Sequence, residues 1–127
     1  MFLKPLGLPI ITLIIGATLT VSCQQTPQNQ LLGEWTGSDS SNRPVSMTFT
    51  SSNTIQIKVG EESGDGTYTT DLNQKPAHLT IDLGNRGKVE TIFEITQDGK
   101  LRIENNNPGK SRPETFTGRS VLFSRPK

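Results

Sequence analysis

Between Val45 and Glu104 apolar and polar residues take turns along the chain. Val45, Met47 and Phe49 are separated by Ser46 and Thr48, and Ile55, Ile57 and Val59 by Gln56 and Lys58. Ala77, Leu79, Ile81 and Leu83 enclose His78, Thr80 and Asp82. Val89, Thr91, Phe93 and Ile95 form one phase of the next run, with Glu90, Ile92 and Glu94 on the other. Leu101 and Ile103 then alternate with Arg102 and Glu104. A period of two sends successive side chains to opposite faces of a strand. Runs that are dry on one face and wet on the other fit an antiparallel sheet wrapped over a single core.

Turn chemistry separates the runs. Asp98-Gly99 between two alternating segments is a strong hairpin signal. Gly84-Asn85-Arg86-Gly87 joins two more, and Gly64-Asp65-Gly66 reads as a turn ahead of Thr67–Thr70. Asn105 to Gly109 is a longer loop. With a first strand around Trp35 and a last one around Phe123, the count is about eight short strands with no long helix. A single turn of 3₁₀ helix fits Gln28–Leu32. The expected fold is therefore all-β, a small antiparallel up-and-down barrel, since closure removes edges that would otherwise invite aggregation.

The first 22 residues have a different character. Lys4 is the only charged residue before Cys23, and Leu6 to Val21 is uncharged and rich in Leu and Ile. As a helix this apolar stretch spans about 24 Å, short of the roughly 20 residues of a stable membrane span and suited to an export signal. It ends Leu19-Thr20-Val21-Ser22-Cys23, which resembles the lipobox of bacterial lipoproteins, with Thr20 where Leu is commoner. The resemblance implies removal of 1–22, a diacylglyceryl thioether on Cys23, and further acylation of the new amine; two or three chains give stable anchoring where one does not. Residues 24–30, Gln-Gln-Thr-Pro-Gln-Asn-Gln, are polar and aperiodic, so 23–30 reads as a lipidated, flexible tether. Gln24 is not the Asp that resembles an inner-membrane retention signal, which points to the outer membrane where two membranes exist. Residues 31–127 are the folded domain.

Cys23 is the only cysteine, so no intramolecular disulfide supports that domain and its core must suffice. Beyond Lys4 the chain holds 12 of its 13 basic residues against 12 acidic ones, a neutral balance without the basic footprint of a nucleic-acid binder.

Leu32-Gly33-Glu34-Trp35 carries a further resemblance. The Gly-x-Trp triplet looks like the opening of lipocalins, on the first strand after a short turn. Lys75-Pro76 leading into Leu79-Thr80-Ile81-Asp82-Leu83, Ile92 to Ile95, Gly99-Lys100-Leu101, Arg112-Pro113-Glu114-Thr115-Phe116 and Leu122-Phe123-Ser124-Arg125 extend the likeness to small exported bacterial lipocalin-like domains over most of 31–125. The resemblance implies a fold and no defined activity. It implies a base-closing role for Trp35, covered by an arginine from a late strand, Arg125 first and Arg119 second. The Thr-Asp-Tyr motif of larger lipocalins is reduced to Thr70-Asp71-Leu72, which argues against a full-size cavity. Pro113 biases Arg112 toward extended geometry, and Phe116 is expected to anchor the last strand in the core. Arg112 and Glu114 either form a surface or ligand-binding pair or make an ion pair at a strand entrance, the commoner use of such residues.

Catalytic patterns are sparse. His78 is the only histidine and falls on the wet phase of its strand. No Gly-x-Ser-x-Gly elbow and no phosphate loop is present. Glu61, Glu62, Asp65 and Asp71 match no calcium loop, and Asp82, Glu90, Glu94 and Glu104 occupy wet phases where solvated charges are expected. The expectation is a monomeric, non-enzymatic envelope protein without metal or cofactor, tied to the membrane by its lipid. Its partner is either a small apolar ligand or, with a filled barrel, another envelope protein.

Overall fold

The structure, a computed structural model, describes residues 30–127. The leader 1–22, Cys23 and the tether up to Asn29 lie outside the described residues. The strands are β1 (Gly33–Ser38), β2 (Pro44–Phe49), β3 (Thr54–Val59), β4 (Glu62–Asp71), β5 (Ala77–Asp82), β6 (Lys88–Ile95), β7 (Leu101–Glu104) and β8 (Ser120–Phe123), with a 3₁₀ turn over Gly84–Arg86. All eight form one antiparallel sheet in chain order, the up-and-down pattern. The sheet curls until β1 meets β8, where Thr36 and Ser124 exchange two backbone hydrogen bonds of 2.8 Å. Gly37 allows this seam: a Cβ there would lie 2.8 Å from the Leu122 carbonyl oxygen.

The alternating runs become strands because one phase of each enters a common interior. Trp35, Phe49, Ile55, Tyr68, Leu79, Phe93, Leu101 and Phe123 interlock there, with Leu31 beneath them. Phe49 and Tyr68 meet edge to face at 5.0 Å, and the Tyr68 hydroxyl donates to the Thr50 carbonyl at 2.8 Å. Burial pushes the Tyr68 phenol pKa up, so it stays a donor. Among the described residues every strand and every core residue lies in 31–127, so the core they share closes within that stretch.

Two hairpins use one device. In β2–β3, the Thr50 amide donates to the Thr54 carbonyl and Asn53 sits at φ 68°; in β6–β7, the Thr96 amide donates to the Lys100 carbonyl and Gly99 sits at φ 83°. Each is a three-residue loop whose last residue takes the left-handed conformation. The Asp98-Gly99 hairpin thus forms where the sequence places it.

Gly64-Asp65-Gly66 is not a turn. The β3–β4 turn is Gly60-Glu61, with Gly60 at φ 62°, and β4 runs straight through the two later glycines. Both lie on the phase of Tyr68, and a Cβ on Gly66 would collide with the Asp82 carbonyl, one on Gly64 with the Arg86 guanidinium. Here glycine marks the close approach of the end of β5 and the turn after it.

Residues 105–119 form a strap over the outside of β5–β7. Arg112 reaches the Leu79 and Thr91 carbonyls at 3.0 and 2.6 Å and the Thr80 hydroxyl at 3.0 Å. Phe116 is half-buried under Arg102, with the guanidinium 4.7 Å from its ring. Thr117 donates its amide and hydroxyl to Glu104. Two expectations are corrected by this strap. Phe116 is not in the core, and Glu104 is not a solvated charge but 3% exposed, sealed under Thr117. Ile92, on the outward phase of β6, is 1% exposed for the same reason.

Candidate functional site

The barrel has a closed end and an open one. At the closed end Trp35 is 1% exposed and donates its indole N–H to the Leu31 carbonyl at 2.8 Å, holding the helical residues Gln30 and Leu31 beneath the ring. Arg125 lies over that ring, 3.8 Å from its centroid. Its two Nη atoms donate to the Gln30 carbonyl at 2.6 Å and the Glu34 carbonyl at 3.2 Å. Partial burial lowers the Arg125 pKa. Gly33 makes room: its φ is 104°, and a Cβ there would lie 2.9 Å from Arg125 Nη1. Cation–π attraction and a planar fork of donors thus join the chain's entry, first strand and last segment. Arg119 is nowhere near this base; it stands at the opposite end, before β8.

At that opposite end is a cavity of about 700 Å³. Its inner wall is apolar, made by Met47, Ile57, Ile81 and Ile103, with Val89 and Val121 paired across from Ile81 and Ile103. Thr91, 1% exposed, is the polar member of the wall, and its hydroxyl is spent on the Glu104 carbonyl. The rim is polar and comes from the β1–β2 loop and the end of the strap. In the loop, Asp39 Oδ1 accepts the amides of Ser41 and Arg43, both at 2.9 Å, and Oδ2 accepts Arg43 Nε at 2.9 Å. The Arg43 amide foremost holds the Asp39 carboxyl below its ordinary value. On the strap side Arg119 is exposed and belongs to none of the ion pairs among the described residues.

The remaining candidates from the sequence are scattered. Arg112 and Glu114 do not pair: Arg112 lies 3.9 Å from Glu90, and Glu114 is exposed on the strap. Glu94 pairs with Arg102 at 3.2 Å, and Asp82 accepts the Gly84 amide at 3.0 Å. His78 is half-buried on the outward phase of β5. Among the described residues no three His, Cys, Asp or Glu side chains gather as a metal set. Of the rim residues, Asp39 and Arg43 are assigned to no site by sequence reasoning, and Arg119 is assigned to the base as second candidate rather than to the rim. Asp39-Ser-Ser-Asn-Arg43 carries a readable Asx-turn signal, but nothing local marks it as a cavity rim.

No protein-family model, no curated protein and no solved structure matches the chain. The site therefore has to be read from its own chemistry.

Proposed function

We propose that the protein is a membrane-anchored envelope lipoprotein whose lipocalin-like barrel holds a small apolar ligand in its open end. The supporting observation is the apolar-walled cavity of about 700 Å³ above a closed aromatic base. Ligand sites are concave, mostly apolar and edged by a few polar groups, and volumes of roughly 300–1,000 Å³ are usual. A barrel filled by its own side chains, as the interaction-module reading requires, would leave no such space. Leu122, at the cavity's edge, is 53% exposed, and one exposed leucine is an ordinary surface feature.

The polarity of the barrel fits the anchor reading. The described chain begins at the closed end, where Gln30 accepts from Arg125. With Gln30 held at the base, the six residues from Gln24 to Asn29 reach at most about 20 Å, so lipid on Cys23 would hold the base beside the bilayer and turn the mouth away from it. The proposed role is then capture of a ligand from the aqueous side, with no reaction performed on it.

Native mass spectrometry of the protein extracted from its own membranes tests both halves. The expected species begins at Cys23, carries thioether-linked lipid, and retains a non-covalent small molecule. An unmodified Cys23 would remove the anchor, and an empty barrel that takes up no apolar probe would remove the ligand.

A further inference from the structure

The cavity has a shape as well as a volume, and its rim has a charge. Its wall runs from Val45, Val59 and Leu83 at the mouth to Met47, Ile57, Ile81 and Ile103 further in, and the Phe123 ring lines its foot; Phe49 and Phe93 do not line the cavity but belong to the packed core that ends it. From Val45 to Phe49 is four residues along β2, about 13 Å at 3.3 Å each, or about 10 Å along the barrel axis for strands tilted near 40°. About 700 Å³ spread over that depth is a bowl wide enough for a ring system, not a narrow tunnel. An extended alkyl chain advances about 1.25 Å per 1.52 Å bond, so roughly eight carbons reach the floor.

The charges that line the cavity are Asp39, Arg43, Glu104 and Arg119. Arg43 is committed to Asp39 through Nε and Nη2, both at 2.9 Å from Oδ2. Glu104 is buried, with its two carboxylate oxygens engaged by Thr117. Arg119 is left exposed at the rim, outside every ion pair of the described residues. A short apolar bowl with one uncommitted guanidinium at its lip selects for a particular amphiphile.

We propose that the mouth takes a short, broad anionic amphiphile, with a ring-bearing or branched apolar body seated on the aromatic floor and its acidic head against Arg119. This rests on the ligand-binding reading above and narrows it to a chemical class.

Calorimetric titration of the chain from Gln24 onward tests it, using straight-chain carboxylates from hexanoate to hexadecanoate, their matched alcohols, and 2-naphthaleneacetate. Affinity is expected to rise about fourfold per methylene up to octanoate and then level off. The naphthalene compound, about as long as octanoate but broader, is expected to bind several-fold tighter than it. Arg119→Gln should weaken the carboxylates about fivefold, the upper range for an exposed ion pair, and leave the alcohols unchanged. Affinity that climbs steadily to hexadecanoate overturns the floor, and equal losses for acids and alcohols in Arg119→Gln overturn the charge contact. Binding of the alcohols alone rejects this proposal while keeping the ligand-binding reading; no binding by any compound in the series rejects both.

Discussion

Removal of the Arg125 guanidinium is the sharpest test of how the barrel closes. In Arg125→Ala the indole of Trp35 loses a cation 3.8 Å above it, and the Gln30 and Glu34 carbonyls lose their donors. Arg125 is itself exposed, so the cation–π contact is worth about 0.5–1 kcal/mol, the low end of its range. The two hydrogen bonds sit in the same wet environment, and their carbonyls regain water on truncation, so together they add about 1–1.5 kcal/mol. The sum is about 2 kcal/mol. For a domain of this size each kcal/mol moves Tm by about 4–8 °C, so a drop near 10 °C is expected. Arg125→Lys keeps the charge but not the planar fork that spans ring and carbonyls, and should recover less than half of the loss. Urea and thermal unfolding followed by Trp35 fluorescence read the free-energy loss and the Tm shift, since Trp35 is the sole tryptophan. A double-mutant cycle pairing Arg125→Ala with Trp35→Phe, followed by circular dichroism, should show coupling of about 0.5–1 kcal/mol. A loss below about 0.5 kcal/mol together with no coupling would refute the base-closure argument.

Further outcomes follow from other contacts. Gly66→Ala drives a methyl into the Asp82 carbonyl and should destabilise by more than about 2 kcal/mol, whereas Gly60→Ala meets open space and should lose only about 1 kcal/mol from its positive φ; the order of their urea midpoints checks this. Glu104→Ala leaves the Thr117 amide and hydroxyl without their acceptor, and should cost about 2–3 kcal/mol while speeding amide exchange across the strap. The Asp39 carboxyl is held below its ordinary 3.8 by the amides it accepts, so its contribution is complete above that value and is lost as pH falls through the lowered one. The Ser41 and Arg43 amide resonances should therefore move together below pH 3.8; a midpoint at or above 3.8 would contradict the loop geometry.

The strands were legible because their signal is local. A two-residue period over Val45–Thr50 or Ala77–Leu83 already states which face is buried, and Asp98-Gly99 states where the chain reverses. Gly64 and Gly66 misled because glycine signals both turns and close backbone approach, and which of the two applies depends on Asp82 and Arg86, some twenty residues away. Glu104, Ile92 and Phe116 misled for a related reason. Alternation separates the two faces of a strand, but it does not say that a strap will cover the outer face, and the strap's bonds span from 13 to 33 residues. The cavity was the least legible feature. Met47, Ile57, Ile81 and Ile103 look the same in sequence as Phe49, Ile55, Leu79 and Leu101, yet the first group lines space and the second fills it. The difference lies in where the aromatic side chains gather, and the large ones converge on one end.

Methyl NMR during titration with 2-naphthaleneacetate tests the central claim, an apolar site in the mouth, most directly. Shifts are expected at Val45, Ile57, Ile81, Val89 and Ile103, with Leu31, Ile55 and Leu101 at the base unmoved. Shifts confined to methyl groups that do not line the cavity, or none at all at saturating probe, would contradict it.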